Sequence, residues 1–226
     1  MKAPTCALLY LAFSLCQSLA QTEPASPAKP NAPGTVRVLV AYYSLTGNTE
    51  KMAGGVAEGV KQVRGAAVNL KQVEEVTKQD LEDADGIILG CPAYYGTIPG
   101  KMKVVIDDWS WKLKVDFTDK AGGAFSTGGG QAGGKEFVAV SLLMFMLNNR
   151  MVVAGPLYRN DKTGSVWAEV GAAATTGPLD PGVGEGELDS ARRLGERVAQ
   201  LAAKLKGAAT KTVDRRPRDF TSSLPK

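Results

Sequence analysis

The stretch Gly86-Ile87-Ile88-Leu89-Gly90-Cys91 is apolar without a break and is closed on its far side by Pro92. A short continuous run between turn residues reads as a strand buried on both faces, and such strands belong to parallel sheets with helices on each side. The flanking sequence extends the pattern. Val36 to Tyr43 is a first strand, rich in β-branched and aromatic residues. Met52, Val56, Val60 and Val63 then recur at helical spacing, with Ala53 and Ala57 beside them. Ala67 to Val73 alternates and predicts an edge strand. A helix is predicted over Gly100 to Trp109, a fourth strand over Gly122 to Ser126, and a fifth over Met151 to Ala154. Phe137 to Leu147 predicts a helix apolar nearly all round, expected to be fully buried or set at a subunit contact. Ala191, Leu194, Val198, Leu201 and Leu205 form the stripe of a last helix that stops near Gly207. The fold class is α/β: a doubly wound, five-stranded parallel sheet in a single domain, residues 36–207.

Composition narrows the chemistry. The chain has no histidine, which excludes a Ser-His-Asp triad, a Cys-His pair and any His-ligated zinc site. A net charge of +4 is too mild to indicate nucleic-acid binding. Residues 1–20 read as a Sec-type signal peptide: Lys2, an apolar run from Cys6 to Cys16, and small residues at Ser18 and Ala20. An uncleaved anchor fits the same residues. Cleavage after Ala20 predicts an exported chain with Cys91 as its one thiol and no membrane span. Residues 21–35 form a Pro-rich linker, and residues 208–226 a basic tail expected to be disordered.

In a doubly wound sheet, ligands bind at the carboxyl ends of the strands. Three loops stand there. Ser44-Leu45-Thr46-Gly47-Asn48-Thr49 follows the first strand and opens a helix, offering free N–H groups, a favourable dipole and three hydroxyls to an anion. It lacks the Gly-Lys-Ser/Thr end of a nucleoside-triphosphate loop. An ordinary strand-to-helix turn with a Thr cap fits the same residues. Pro92-Ala93-Tyr94-Tyr95-Gly96 leaves the third strand, and its paired tyrosines form either a flat wall for a planar ring or a cap on the core. Ser126-Thr127-Gly128-Gly129-Gly130 leaves the fourth; its glycines let a ligand lie against bare backbone, unless they mark a flexible loop. Gly128, Gly130 and Gly133 match G-x-G-x-x-G, but on the fourth unit, without the acidic partner that a dinucleotide site requires. Cys91 reads as a small buried residue at a strand end, with a redox role as the alternative.

Together these patterns resemble the flavodoxin-like proteins, and most closely the type IV NAD(P)H:quinone oxidoreductases, the Trp-repressor-binding-protein family. The matching segments are YYSLTGNTEKMAGGVAEGV, ADGIILGCPAYYGTIPGKMKVVID, FSTGGGQ and GAAATTGPLDPGVGEGELDSARRLGERVAQLAAKLKG. The resemblance implies FMN as cofactor. Ser44, Thr46, Gly47, Asn48 and Thr49 would hold its phosphate; Pro92, Ala93, Tyr94, Tyr95, Gly96, Ser126, Thr127, Gly128, Gly129 and Gly130 would meet its ring. It also implies NAD(P)H as donor, two-electron reduction of quinones through flavin N5 with a ping-pong rate law, and a homo-oligomer, dimer or tetramer. The family carries a histidine beside the flavin, and this chain has none; Tyr94, Tyr95, Tyr158 and Trp167 are the candidate stacking surfaces in its place. The signal peptide is the other departure, since reduced nicotinamide is not normally available outside the cytoplasm. An exported flavodoxin-type electron carrier is therefore the alternative, and a flavin-free interaction module the third.

Overall fold

The structure is a computed structural model, and it describes residues 34–158, 168, 170–177 and 182–209. The expected signal peptide, most of the Pro-rich linker, Trp167 and the tail beyond residue 209 lie outside the described residues. The elements in chain order are β1 (Val36–Tyr42), α1 (Asn48–Lys61), β2 (Ala66–Gln72), α2 (Lys78–Asp83), β3 (Gly86–Pro92), α3 (Gly100–Trp111), β4 (Ala121–Gly128), α4 (Lys135–Asn148), β5 (Val152–Val153), β6 (Ala172–Thr175) and α5 (Glu185–Ala209). The strands lie in the order β2-β1-β3-β4-β5, all parallel, with β6 also on β4. The reversal of direction between β1 and β3 is the switch point at which such sheets open a crevice.

The fifth strand differs from expectation. Val152–Val153 pairs with Ala121 and Gly122, while Ala172–Thr175 pairs with Phe125 to Gly128. Two short strands thus share the outer edge of β4, one after the other. The sequence signals only the first, because Ala172-Ala173-Ala174-Thr175 has little of the β-branched or aromatic character that marks a strand.

Two apolar layers clasp the sheet. On one face Met52, Val56 and Val60 of α1 meet Leu194 and Val198 of α5 over Val38, Val40 and Ile88. On the other, Met102 and Ile106 of α3 and Val138, Leu142 and Met146 of α4 cover Leu39, Ile87 and Leu89. β4 runs between these layers, all eight of its residues buried. Its glycines are explained by what would strike a side chain there: a Cβ on Gly122 would come within 2.7 Å of Met146, and one on Gly123 within 2.7 Å of Val198. The helices supply the volume that the strand leaves out.

α4 is a correction. Val138, Ala139, Leu142, Leu143 and Met146 are buried as expected, but Phe137 is 76% exposed, Met144 and Leu147 50%, and Val140 40%. The helix is apolar on both sides and buried on one. Of the two neighbouring tryptophans, Trp109 is in the core and Trp111 stands in solvent at 81% exposure.

Candidate functional site

Each of the three loops begins where a buried strand runs out. Tyr43 N–H still bonds the Gly90 carbonyl at 2.9 Å, and Ala93 N–H bonds the Thr127 carbonyl at 2.7 Å, so the three strand ends are held level. From there each loop takes a shape set by its glycines.

The first loop turns through Gly47, at φ +89°, into α1. The Gly47 N–H donates to Ser44 Oγ at 3.2 Å, and no side chain caps the helix. The first-turn N–H groups therefore point outward, beside the at least partly exposed Ser44, Thr46 and Asn48. Two charges beside the loop are engaged by other groups. The Glu50 carboxylate accepts from the Tyr42 hydroxyl at 3.2 Å, and Lys51 donates to the Val183 carbonyl at 2.8 Å. Burial, and then the Glu50 charge, raise the Tyr42 phenol above its usual range, so it stays a donor.

Thr49 is buried, and its hydroxyl lies 2.8 Å from that of Thr127, equally buried. This contact joins the first loop to the third across 78 residues of chain. The second and third loops meet backbone to backbone where a Cβ on Gly134, at φ +87°, would fall 2.6 Å from Gly96 Cα. The third loop also leans on the end of β6, where Thr176 N–H bonds the Gly128 carbonyl at 2.8 Å and a Cβ on Gly177 would lie 2.1 Å from the Gly129 carbonyl oxygen. All three loops thus form one contiguous rim, with β6 as a fourth wall.

The tyrosines divide. Tyr95 and Gly96 sit at φ +52° and +79°, and Tyr94 and Thr97 exchange hydrogen bonds at 3.0 and 3.1 Å. This is a two-residue turn with both central residues left-handed. Tyr95, at its tip, is completely exposed. Tyr94 turns inward and meets Tyr43 edge-on, ring centroids 6.3 Å apart. The paired wall expected from the sequence is therefore one tyrosine, Tyr94, braced by Tyr43. Tyr158 is also placed elsewhere: its hydroxyl lies 2.6 Å from Ser190 Oγ and accepts from Ala168 N–H at 3.0 Å, tying Tyr158 and Ala168 to α5. Cys91 is buried, and burial pushes its thiol up to about 12. It is a protonated packing residue at physiological pH. Asp107 and Asp108 each pair with a separate lysine, Lys103 and Lys112, one turn away along α3.

A family model described as NADPH-dependent FMN reductase matches residues 35–163. The chain belongs to the NADPH-dependent FMN reductase family. Among similar proteins, one from Aquifex aeolicus named Flavodoxin is 38% identical over 168 residues, 74% of this chain and 87% of that one. A protein from Geotalea uraniireducens named NAD(P)H dehydrogenase (quinone) is 33% identical over 204 residues, 75% of this chain and 99% of its own. The crystal structure of a flavodoxin, WrbA-like protein from Agrobacterium tumefaciens shares the fold with a TM-score of 0.59, covering 75% of this chain and 99% of that one at 24% identity. The chain is accordingly a flavodoxin-like oxidoreductase with FMN as its cofactor.

The rim fits a phosphate joined to a planar ring. The uncapped start of α1 offers neutral donors to an anion. Above the third loop the space is open and lined by backbone: a Cβ on Gly130 would meet nothing nearer than 3.9 Å, and one on Gly96 nothing within 4 Å. A separate surface cavity of about 230 Å³, lined by Gln62, Leu157 and Arg192 among others, lies over α1 and α5 and includes none of these loops. Two contributors are absent from the sequence reading. The end of β6, Thr175 to Gly177, escaped because a strand of alanines carries no periodic signal. Lys135 escaped because a lysine at the start of a helix reads as solvated surface.

Proposed function

We propose that this chain is an FMN-dependent oxidoreductase that carries two electrons from NAD(P)H to quinones, the donor leaving before the acceptor binds. The observation that carries the reading is the continuous rim, in which an uncapped helix start and a bare-backbone cradle are locked together by Thr49 and Thr127. Bound FMN supplies the redox chemistry at its N5. The chain supplies binding and orientation. Ser44, Thr46, Gly47, Asn48 and Thr49 hold the phosphate. Pro92 to Gly96 and Ser126 to Gly130 border the ring, with Tyr94 as the aromatic surface. Peptide N–H groups facing the ring stabilise negative charge gained on reduction, as preorganised donors do in other sites. The name of the Geotalea relative supports the quinone as acceptor.

The test is an anaerobic titration of the full chain, loaded with FMN, against NADPH and then a benzoquinone. Bleaching of the flavin bands by one equivalent of NADPH, and their return with quinone, is the expected result. Bound flavin that ignores NADPH and takes up electrons singly from dithionite would instead make the chain an electron carrier. That second reading is favoured by the name of the Aquifex relative and by the export signal, which we propose directs the chain out of the cytoplasm. We further propose that the chain works as a homo-oligomer joined through the exposed side of α4.

A further inference from the structure

Lys135 breaks two local rules at once. It is 4% exposed, and it is the first residue of α4, where the helix dipole disfavours a cation. Its side chain folds back beneath the third loop, where a Cβ on Gly128 would lie 2.9 Å from Lys135 Cγ. Its ammonium donates to the carbonyl of Gly130 and, at 3.1 Å, to that of Gln131. Its own carbonyl accepts from Ser126 Oγ at 2.8 Å. One residue therefore ties both ends of the Ser126–Gln131 loop. In a trans peptide the C=O and N–H point in opposite directions. With the carbonyls of Gly130 and Gln131 drawn onto the ammonium, the N–H groups of Gln131 and Ala132 face away from it, on the exposed side of the loop.

We propose that Lys135 is a positioning residue that fixes the Ser126–Gln131 loop in its ring-binding shape and places a buried positive charge behind it, favouring reduced over oxidised flavin. The inference rests on the reading of this loop as a flavin-ring contact. The charge has a physical role because a flavin ring gains electron density on reduction, and an interior of low effective dielectric transmits a fixed charge well. A merely structural lysine would hold the loop and leave the flavin couple unchanged.

Two variants separate shape from charge. Lys135→Gln keeps a donor to the loop carbonyls and removes the charge; Lys135→Met removes both. Amide hydrogen exchange of residues 128–133 in the FMN-free full chain reads the shape. The affinities for oxidised and reduced FMN, or the midpoint potential of the bound flavin, read the charge. Lys135→Met is expected to speed exchange in this segment at least tenfold, with Lys135→Gln recovering most of the protection. Both variants are expected to weaken reduced FMN about tenfold relative to oxidised FMN, which is a fall of about 30 mV for a two-electron couple. Wild-type exchange in Lys135→Met, or an unchanged potential in Lys135→Gln, overturns the proposal while FMN binding by the wild type leaves the function standing. Failure of the wild type to bind FMN overturns both. If Lys135→Met does not fold, the potential of Lys135→Gln decides alone.

Discussion

The hydroxyl contact between Thr49 and Thr127 is small and has few substitutes. Both groups are buried, and each satisfies the other at 2.8 Å. Valine has nearly the same shape as threonine, so replacement removes the bond without opening a cavity. Thr49→Val strands the Thr127 hydroxyl, and Thr127→Val strands that of Thr49; each is expected to cost about 1–3 kcal/mol. The double variant strands neither and should lose less than the sum. Urea unfolding of the four proteins gives the coupling energy, and strict additivity would show that the contact carries nothing. Cys91 permits a second test with a definite sign. Its thiol is raised to about 12 in the folded chain, against about 8.5 for an ordinary thiol. A group whose pKa is raised on folding contributes stability that is complete below the unfolded value and lost as pH rises toward the folded one. The wild type should therefore lose stability relative to Cys91→Ala above about pH 8.5, by up to about 1.4 kcal/mol per pH unit. Denaturation midpoints at pH 7, 9 and 10 check this, and the same thiol should resist iodoacetamide at pH 8 in the native chain.

Among the elements, α1 and α5 show how sequence and packing can disagree. Both helices were legible from their apolar stripes, yet the stripe does not reveal how closely they approach. A Cβ on Gly59 would lie 1.9 Å from the Arg192 carbonyl, and one on Gly195 2.0 Å from that of Val56. The helices touch backbone to backbone at these points. Gly54, on the same helix, has nothing within 4 Å of its would-be Cβ. Helix propensity alone gives alanine the advantage at both positions by up to about 1 kcal/mol. Packing reverses it at one. Gly54→Ala is expected to raise stability by about 0.5–1 kcal/mol, and Gly59→Ala to lower it by about 1–3 kcal/mol or more as the helices are pushed apart. Thermal unfolding of the two variants distinguishes these, and a stabilising Gly59→Ala would mean that the pair is looser than the structure shows. The same limit governs the site. The turn of the first loop through Gly47 into α1 was readable because such a turn draws on particular residue types in a short segment. Lys135 and the end of β6 were not, because the lysine's role comes from its side chain folding back onto loop carbonyls and the strand end's from backbone contacts between distant segments, neither of which sequence spacing encodes. Tyr95 is a related case: whether a loop tyrosine faces in or out depends on a left-handed turn, and the Tyr95-Gly96 pair gives only a hint of it.

At the scale of the whole molecule, the exposed side of α4 is out of keeping with a lone domain. From Phe137 to Asn149 the sequence contains no charged residue. Phe137, Val140, Met144 and Leu147 recur at helical spacing on the outward side and are all exposed. A solvent-facing helix normally carries its charges there, as α3 does with Lys103 paired to Asp107 and Lys112 paired to Asp108. Exposed apolar stripes of this kind mark interaction surfaces, which is the ground for the homo-oligomer proposed above. Sedimentation velocity of the chain is thus expected to show a dimer or tetramer. A charge in the middle of the stripe, Met144→Glu or Val140→Glu, should weaken association at least tenfold without lowering the unfolding midpoint of the monomer, because neither side chain is part of the core. A wild-type chain that sediments as a monomer at tens of micromolar would remove the oligomer from the reading. The site is connected to this surface through a single helix: Gly134 packs on Gly96, and Lys135 holds the third loop, two residues before the stripe begins. If association steadies the start of α4, it steadies the loop, and by linkage FMN should bind more tightly to the oligomer than to the monomer. Flavin affinity measured across a dilution series should then fall where the oligomer dissociates. The Met144→Glu variant should show the weaker affinity at concentrations where the wild type is assembled and the variant is not, although its own side chain is not in the site.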